Sequence, residues 1–295
     1  MKRYYFVLLA ALIGLAPTWG QAAEQKTRTV DALQSLQAKD GGFFADPSAR
    51  GRHKPSIRAT VAALRALKYF GGKSQHQAAC INFVRQCYDA SSGGFADHPG
   101  GKPDVGTTAV GVMAVVELEM PVKDYRDGVV GYLGKHVKTF EDIRIAAAGF
   151  EAIHERPAQA DSWLEQIAKL RNADGTYGKR DGVARDTGGA VAAILRLGGK
   201  VEQRENVVRA LKMGQREDGG FGKERAPGSD LETTYRVMRA FAMLKEKPDI
   251  EHCRAFIGRC RNADGLSGIA PGQPSGVGST YYAAIILHWL AEMKP

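Results

Sequence analysis

Asp218-Gly219-Gly220-Phe221-Gly222 decides how this chain folds, because related versions recur along nearly the whole sequence. They are Asp40-Gly41-Gly42-Phe43, Ser92-Gly93-Gly94-Phe95, Asp174-Gly175-Thr176-Tyr177-Gly178 and Asp264-Gly265-Leu266-Ser267-Gly268. Their first residues are separated by 52, 82, 44 and 46 positions, so the long step has room for one copy that has lost its glycines. A period near 45 residues is the mark of a repeat architecture.

The segments flanking each copy are helical in pattern and differ in kind. Those before it, such as 161–170, are amphipathic and charged. Those after it, such as 187–195, are small and apolar nearly all round, which is the composition of a helix buried between two layers. Six units follow. They pair 29–37 with 56–70, 78–88 with 104–118, 124–137 with 141–154, 159–172 with 186–197, 202–215 with 231–244, and 249–262 with 278–293. In the third unit the loop is shortened to Lys138-Thr139-Phe140. The expected fold is all-α, with an inner ring of six helices wrapped by an outer ring of six and closed on itself.

Ahead of the repeats, Lys2 and Arg3 precede an eleven-residue, mostly apolar run from Phe6 to Ala16 and then small residues through Ala23. This is the layout of a secretory signal cleaved after Ala22 or Ala23, and the run is too short for a membrane span of about 20 residues. Residues 1–23 are thus expected to be a signal peptide and 24–295 a single exported domain with no further transmembrane segment. Losing Lys2 and Arg3 takes the formal charge from +9 to +7. The basic residues are scattered, with no aromatic-basic stripe, so nucleic acid is not an expected partner.

The four cysteines fall as Cys80 with Cys87 and Cys253 with Cys260. Seven residues of helix rise about 10.5 Å, too far for one disulfide. Cross-pairing between repeats remains open; free buried thiols are the expectation.

Segments 80–87 leading into 92–100, and 213–222, resemble the repeats of protein prenyltransferase β subunits and of squalene and hopene cyclases. In their motifs they are most similar to type-2 geranylgeranyl transferase β subunits. The resemblance spans about residues 29 to 293 and implies a six-hairpin α/α toroid around a central funnel. It implies a ligand site where the inner helices start, at Arg58, Asp104, Thr107, Arg144, Asp186, Asp230, Glu232, Tyr235, Arg236, Tyr281 and Tyr282. Asp104, Asp186 and Asp230 also suit helix capping. Arg58, Arg144 and Arg236 either pair with these acids or grip an anionic ligand.

The resemblance further implies zinc held by an Asp-x-Cys pair and a His. Here the matching positions read Asp230-Leu231-Glu232 and Ser279-Thr280-Tyr281-Tyr282, so thiolate and imidazole are gone and no metal or other cofactor is expected. The Asp-x-Asp-Asp acid of the cyclases is missing too. The leading expectation is therefore a funnel that binds an isoprenoid or a peptide with the zinc chemistry lost. Two alternatives are an active prenyltransferase with a divergent site, and a carbohydrate-active enzyme using Asp230 with Glu232 or Asp104 with Asp186. The family also implies a helical partner subunit docked on the outer rim.

Overall fold

The computed structural model describes residues 19–293, so the apolar run of the expected signal lies outside the described residues. Twelve α-helices follow one another among them. The first six are α1 (Trp19–Gln34), α2 (Ile57–Phe70), α3 (Gln77–Cys87), α4 (Val105–Glu117), α5 (Lys123–His136) and α6 (Phe140–Ala152). The next six are α7 (Ala160–Ala168), α8 (Val183–Arg196), α9 (Arg204–Met213), α10 (Leu231–Leu244), α11 (Ile250–Arg259) and α12 (Val277–Glu292). The even-numbered helices form a closed inner ring in which each packs on the next and α12 returns to α2. The odd-numbered helices pack around them, giving the expected α/α toroid. No described helix is long and apolar enough to cross a membrane.

The repeated motif builds the corner between an outer and an inner helix. Its first acid makes a tight turn, with Asp40, Asp174, Asp218 and Asp264 each accepting from the backbone N–H two residues on at 3.0 Å. The buried residue after the turn then donates its N–H to a threonine hydroxyl one turn into the inner helix. Phe43 meets Thr60, Phe95 meets Thr108, Tyr177 meets Thr187, Phe221 meets Thr234 and Ser267 meets Thr280, all within 2.9–3.1 Å. Phe43, Phe95 and Phe221 are fully buried, and burying one such ring is worth about 1.5–3 kcal/mol.

Each corner also touches the next unit. A Cβ on Gly219 would lie 2.1 Å from the His252 carbonyl oxygen in α11, and one on Gly41 2.1 Å from the Ala79 carbonyl carbon in α3. The sixth corner closes on the first helix: Thr29 donates to the Gly265 carbonyl at 2.7 Å, and Val277 N–H donates to the Ala45 carbonyl at 2.8 Å. Residues 24–28 are exposed and Thr29 is the first buried side chain described.

Some boundaries differ from expectation. Helix α1 begins at Trp19 rather than Thr29, and α8 begins at Val183 rather than Asp186, entered through a short 3-10 turn at Arg180–Gly182. Asp186 is therefore inside the first turn of α8 and is not its cap. The third unit has no glycine corner; Thr139 and Asp142 cap α6 reciprocally, with N–H to oxygen distances of 3.2 and 2.9 Å.

Candidate functional site

The inner ring encloses a cavity of about 1400 Å³ that reaches from the starts of the inner helices to their C-terminal halves. Its middle wall is apolar, formed by Val61, Ala62, Val110, Met113, Ile145, Ala148 and Ile285. Small inner-helix residues allow close packing: a Cβ on Gly111 would lie 2.3 Å from Phe95 Cγ, and one on Gly149 would lie 3.2 Å from Ala109.

At the helix starts, the Arg58 guanidinium pairs with Asp104 at 3.1 Å, and both side chains are about half exposed. Asp104 is at the same time the cap of α4, accepting from Thr107 N–H at 2.7 Å. Glu141 takes Arg144 at 2.9 Å and Arg236 at 2.9 Å. Burial works against ionising Glu141, but the hydrogen bond from Arg236 and the Arg144 charge outweigh it and hold its carboxyl at about 2.

The C-terminal half of the cavity is more charged and more aromatic. Arg65 pairs with Glu117 at 2.9 Å, and Lys68 joins the same carboxylate at 3.1 Å. Arg196 pairs with Glu151 at 2.8 Å. Arg239 donates to the Tyr235 hydroxyl at 2.8 Å and stacks over the Tyr235 and Trp289 rings, 5.0 and 4.9 Å from their centroids. Tyr281 and Tyr282 complete an aromatic cluster with Tyr235, centroids 5.9 and 4.9 Å away. Side-chain exposure is 50% at Arg58, 21% at Arg65 and 5% at Arg196, while Glu151 beside Arg196 is 47% exposed.

Six of the eleven expected site residues line the cavity: Arg58, Asp104, Arg144, Tyr235, Tyr281 and Tyr282. The other five are engaged elsewhere. Thr107 is buried, its hydroxyl donating to the Phe95 carbonyl at 2.6 Å. Asp186 pairs with Arg185 at 3.0 Å. Asp230 caps α10, accepting from Thr233 N–H and hydroxyl, both at 2.8 Å. Glu232 is tied to Lys223 and Arg236, and Arg236 lies between α8 and α10. The sequence reading missed Arg65, Glu117, Glu151, Arg196, Arg239 and Trp289. A signal existed: Arg65 lies seven residues after Arg58 and Glu151 seven after Arg144, the spacing that keeps two residues on one helix face.

The positions matching the zinc pattern do not fit a metal. Asp230 is spent on its helix cap and Glu232 on two cations, while the Ser279 hydroxyl donates to the Ser267 carbonyl at 2.6 Å. No soft or imidazole donor accompanies them.

The sequence matches the model of the prenyltransferase alpha-alpha toroid domain over residues 1–119, 72–141 and 143–295. A comparison with curated proteins gives no match. Among solved structures, protein geranylgeranyltransferase-I of Candida albicans complexed with GGPP superposes with a TM-score of 0.64 at 14% identity, covering 79% of this chain and 83% of that one. A type II terpene cyclase from Scytonema gives 0.64 at 11% identity over 94% and 98% of the two chains. A glycosidase in complex with glucose gives 0.64 at 13% identity over 95% and 100%. At these identities the likeness is one of fold.

Proposed function

Since this chain belongs to the prenyltransferase alpha-alpha toroid domain family, we propose that its toroid binds an elongated apolar ligand of isoprenoid type in the central cavity and does not carry the zinc-dependent transfer chemistry of prenyltransferases. The observation that carries this reading is the cavity itself, about 1400 Å³ with an apolar middle and aromatic rings beyond it. Ligand pockets usually measure about 300–1,000 Å³, so there is room for a long chain. Two of the structurally similar proteins hold a geranylgeranyl group, as GGPP in the transferase and as geranylgeranyl dihydroxybenzoate in a terpene cyclase variant.

A glycosidase reading is weaker. It needs one cavity carboxyl kept protonated near neutral pH to donate to the leaving oxygen. Asp104, Glu117, Glu141 and Glu151 each have an arginine partner within 3.1 Å, so each is already engaged in an ion pair, and Glu141 is held at about 2. Asp142 is occupied as a cap.

The test is titration of the purified protein with geranylgeraniol and farnesol, with mass spectrometry of whatever co-purifies. Saturable binding at one site supports the reading; absence of binding to either alcohol overturns it. We also propose that the protein is exported. Amino-terminal sequencing of the mature form should begin after Ala22 or Ala23, a cut that leaves the packed body from Thr29 onward intact.

A further inference from the structure

The charged groups in the C-terminal half of the cavity do not balance. Arg65, Arg196 and Arg239 meet two carboxylates, Glu117 and Glu151. Glu117 takes Arg65 and Lys68, and Glu151 takes Arg196, so no described acid pairs with Arg239. Its Nη2 reaches the Tyr235 hydroxyl, and its Nε is buried with no hydrogen-bond partner. An unpaired N–H on a buried guanidinium is costly, and native structures seldom leave one without a reason. The C-terminal ends of the inner helices lend partial negative charge that makes cations tolerable here, yet that field gives the Arg239 Nε no acceptor.

Neighbouring groups register the same surplus. Burial, and after it the Arg239 charge, lowers the Arg196 pKa. Burial alone would push the Tyr235 phenol up, but Arg239, Arg196, a hydrogen bond with Tyr281 and Arg65 outweigh it and draw it below its ordinary value.

Resting on the isoprenoid-type reading above, we infer that Arg239, with Arg196, Arg65 and Tyr235, forms an oxyanion subsite that takes the carboxylate or phosphate end of an apolar-chain ligand. The ligand then lies with its anionic end among the C-terminal halves of the inner helices and its chain along the apolar middle wall toward the helix starts. Arg58, at the helix starts, is already committed to Asp104. Arg239 lines the cavity, and a guanidinium is the planar donor group that suits a carboxylate or a phosphate.

The experiment compares geranylgeraniol, geranylgeranoic acid and geranylgeranyl monophosphate by calorimetric titration of the full chain. In the wild type the acid or the phosphate binds tighter than the alcohol by about 10- to 100-fold, the range expected for hydrogen bonds to a charged donor. Which of the two gains more identifies the head group. Arg239→Met brings both down to the affinity of the alcohol, and Arg239→Lys recovers only part of the difference. Arg196→Met provides a second measurement should Arg239→Met not fold. A preference that survives Arg239→Met or Arg196→Met overturns the subsite, as does equal binding of all three ligands. So does a preference lost in Arg58→Gln and kept in Arg239→Met. If none of the three binds, the isoprenoid-type reading falls and the subsite with it.

Discussion

Arg236 on α10 and Glu141 on α6 are 95 residues apart in sequence and 2.9 Å apart in space, although α8 stands between their helices. They meet because α8 is slim at that level. A Cβ on Gly188 would lie 3.0 Å from the Arg236 carbonyl oxygen, and Gly189 has only Arg144 and Phe140 within 4 Å. Arg236→Met should therefore destabilise the toroid by about 1–3 kcal/mol, less than a fully buried pair because half of Glu141 is open and Arg144 still serves it. Urea unfolding at neutral pH measures this, and an unchanged midpoint would show that the bridge across α8 is dispensable.

The same pair predicts an acid sensitivity. Glu141 is held at about 2, below its ordinary 4.5. A carboxyl depressed in the folded state stabilises it above the unfolded value and loses that contribution as pH falls through the folded value. The stability gap between wild type and Glu141→Gln should be largest above pH 4.5 and close between there and about 2. A gap that stays constant across that range contradicts the assignment.

Gly219 and Gly272 both have positive φ, +85° and +74°, but only Gly219 faces another chain segment. At Gly272 nothing lies within 4 Å, so Gly272→Ala costs about 1–2 kcal/mol for the left-handed backbone alone. At Gly219 the new methyl would overlap the His252 carbonyl, and α11 has to move away. Gly219→Ala should cost about 3 kcal/mol or more, and thermal unfolding of the two variants side by side separates strain from collision.

Cys80, Cys87, Cys253 and Cys260 are free and buried, and burial pushes each thiol up to about 12. A thiol reagent at mildly alkaline pH should find none of them in the native protein and all four after denaturation. Reaction of the native form at a rate faster than global unfolding would place a thiol at the surface.

The Tyr235 phenol should ionise below the other tyrosines in an ultraviolet absorbance titration, and Tyr235→Phe should remove that early step. Burial raises its pKa, and Arg239, Arg196, a hydrogen bond with Tyr281 and Arg65 together lower it by more. Because the folded value lies below the unfolded one, its ionisation adds stability progressively as pH rises toward the ordinary value of 10. Arg239→Met should move the early step back up. Tyr281 next to it shifts the opposite way, from burial and then from the Tyr235 charge.

Much of this was readable along the chain. The recurrence of Asp218-Gly219-Gly220-Phe221 announced the toroid because its copies solve the same local problem: a tight turn, a buried side chain after it, and a glycine where the next unit passes. Asp104 and Asp230 were legible as caps because a cap depends on residues three positions apart. The pairing of Arg58 with Asp104 was anticipated as one of two roles for that arginine.

The cavity wall was not legible in the same way. Glu232 and Arg236 were expected in the funnel, yet they turn toward Lys223, Glu141 and α8, while Tyr235 and Arg239 face inward. These four residues lie on one helix, and successive positions point about 100° apart, so a small rotation of α10 exchanges one pair for the other. The polar face of α10 carries both pairs side by side, so the amphipathic pattern does not record which of them the neighbouring helices turn inward. The sequence by itself determined the repeat, the two rings and the corners between them, because those rest on contacts between near neighbours. Which side chains the ring turns inward, with Arg239 unpaired among them, was decided only when twelve helices closed on one another and each took the orientation that both of its neighbours allowed.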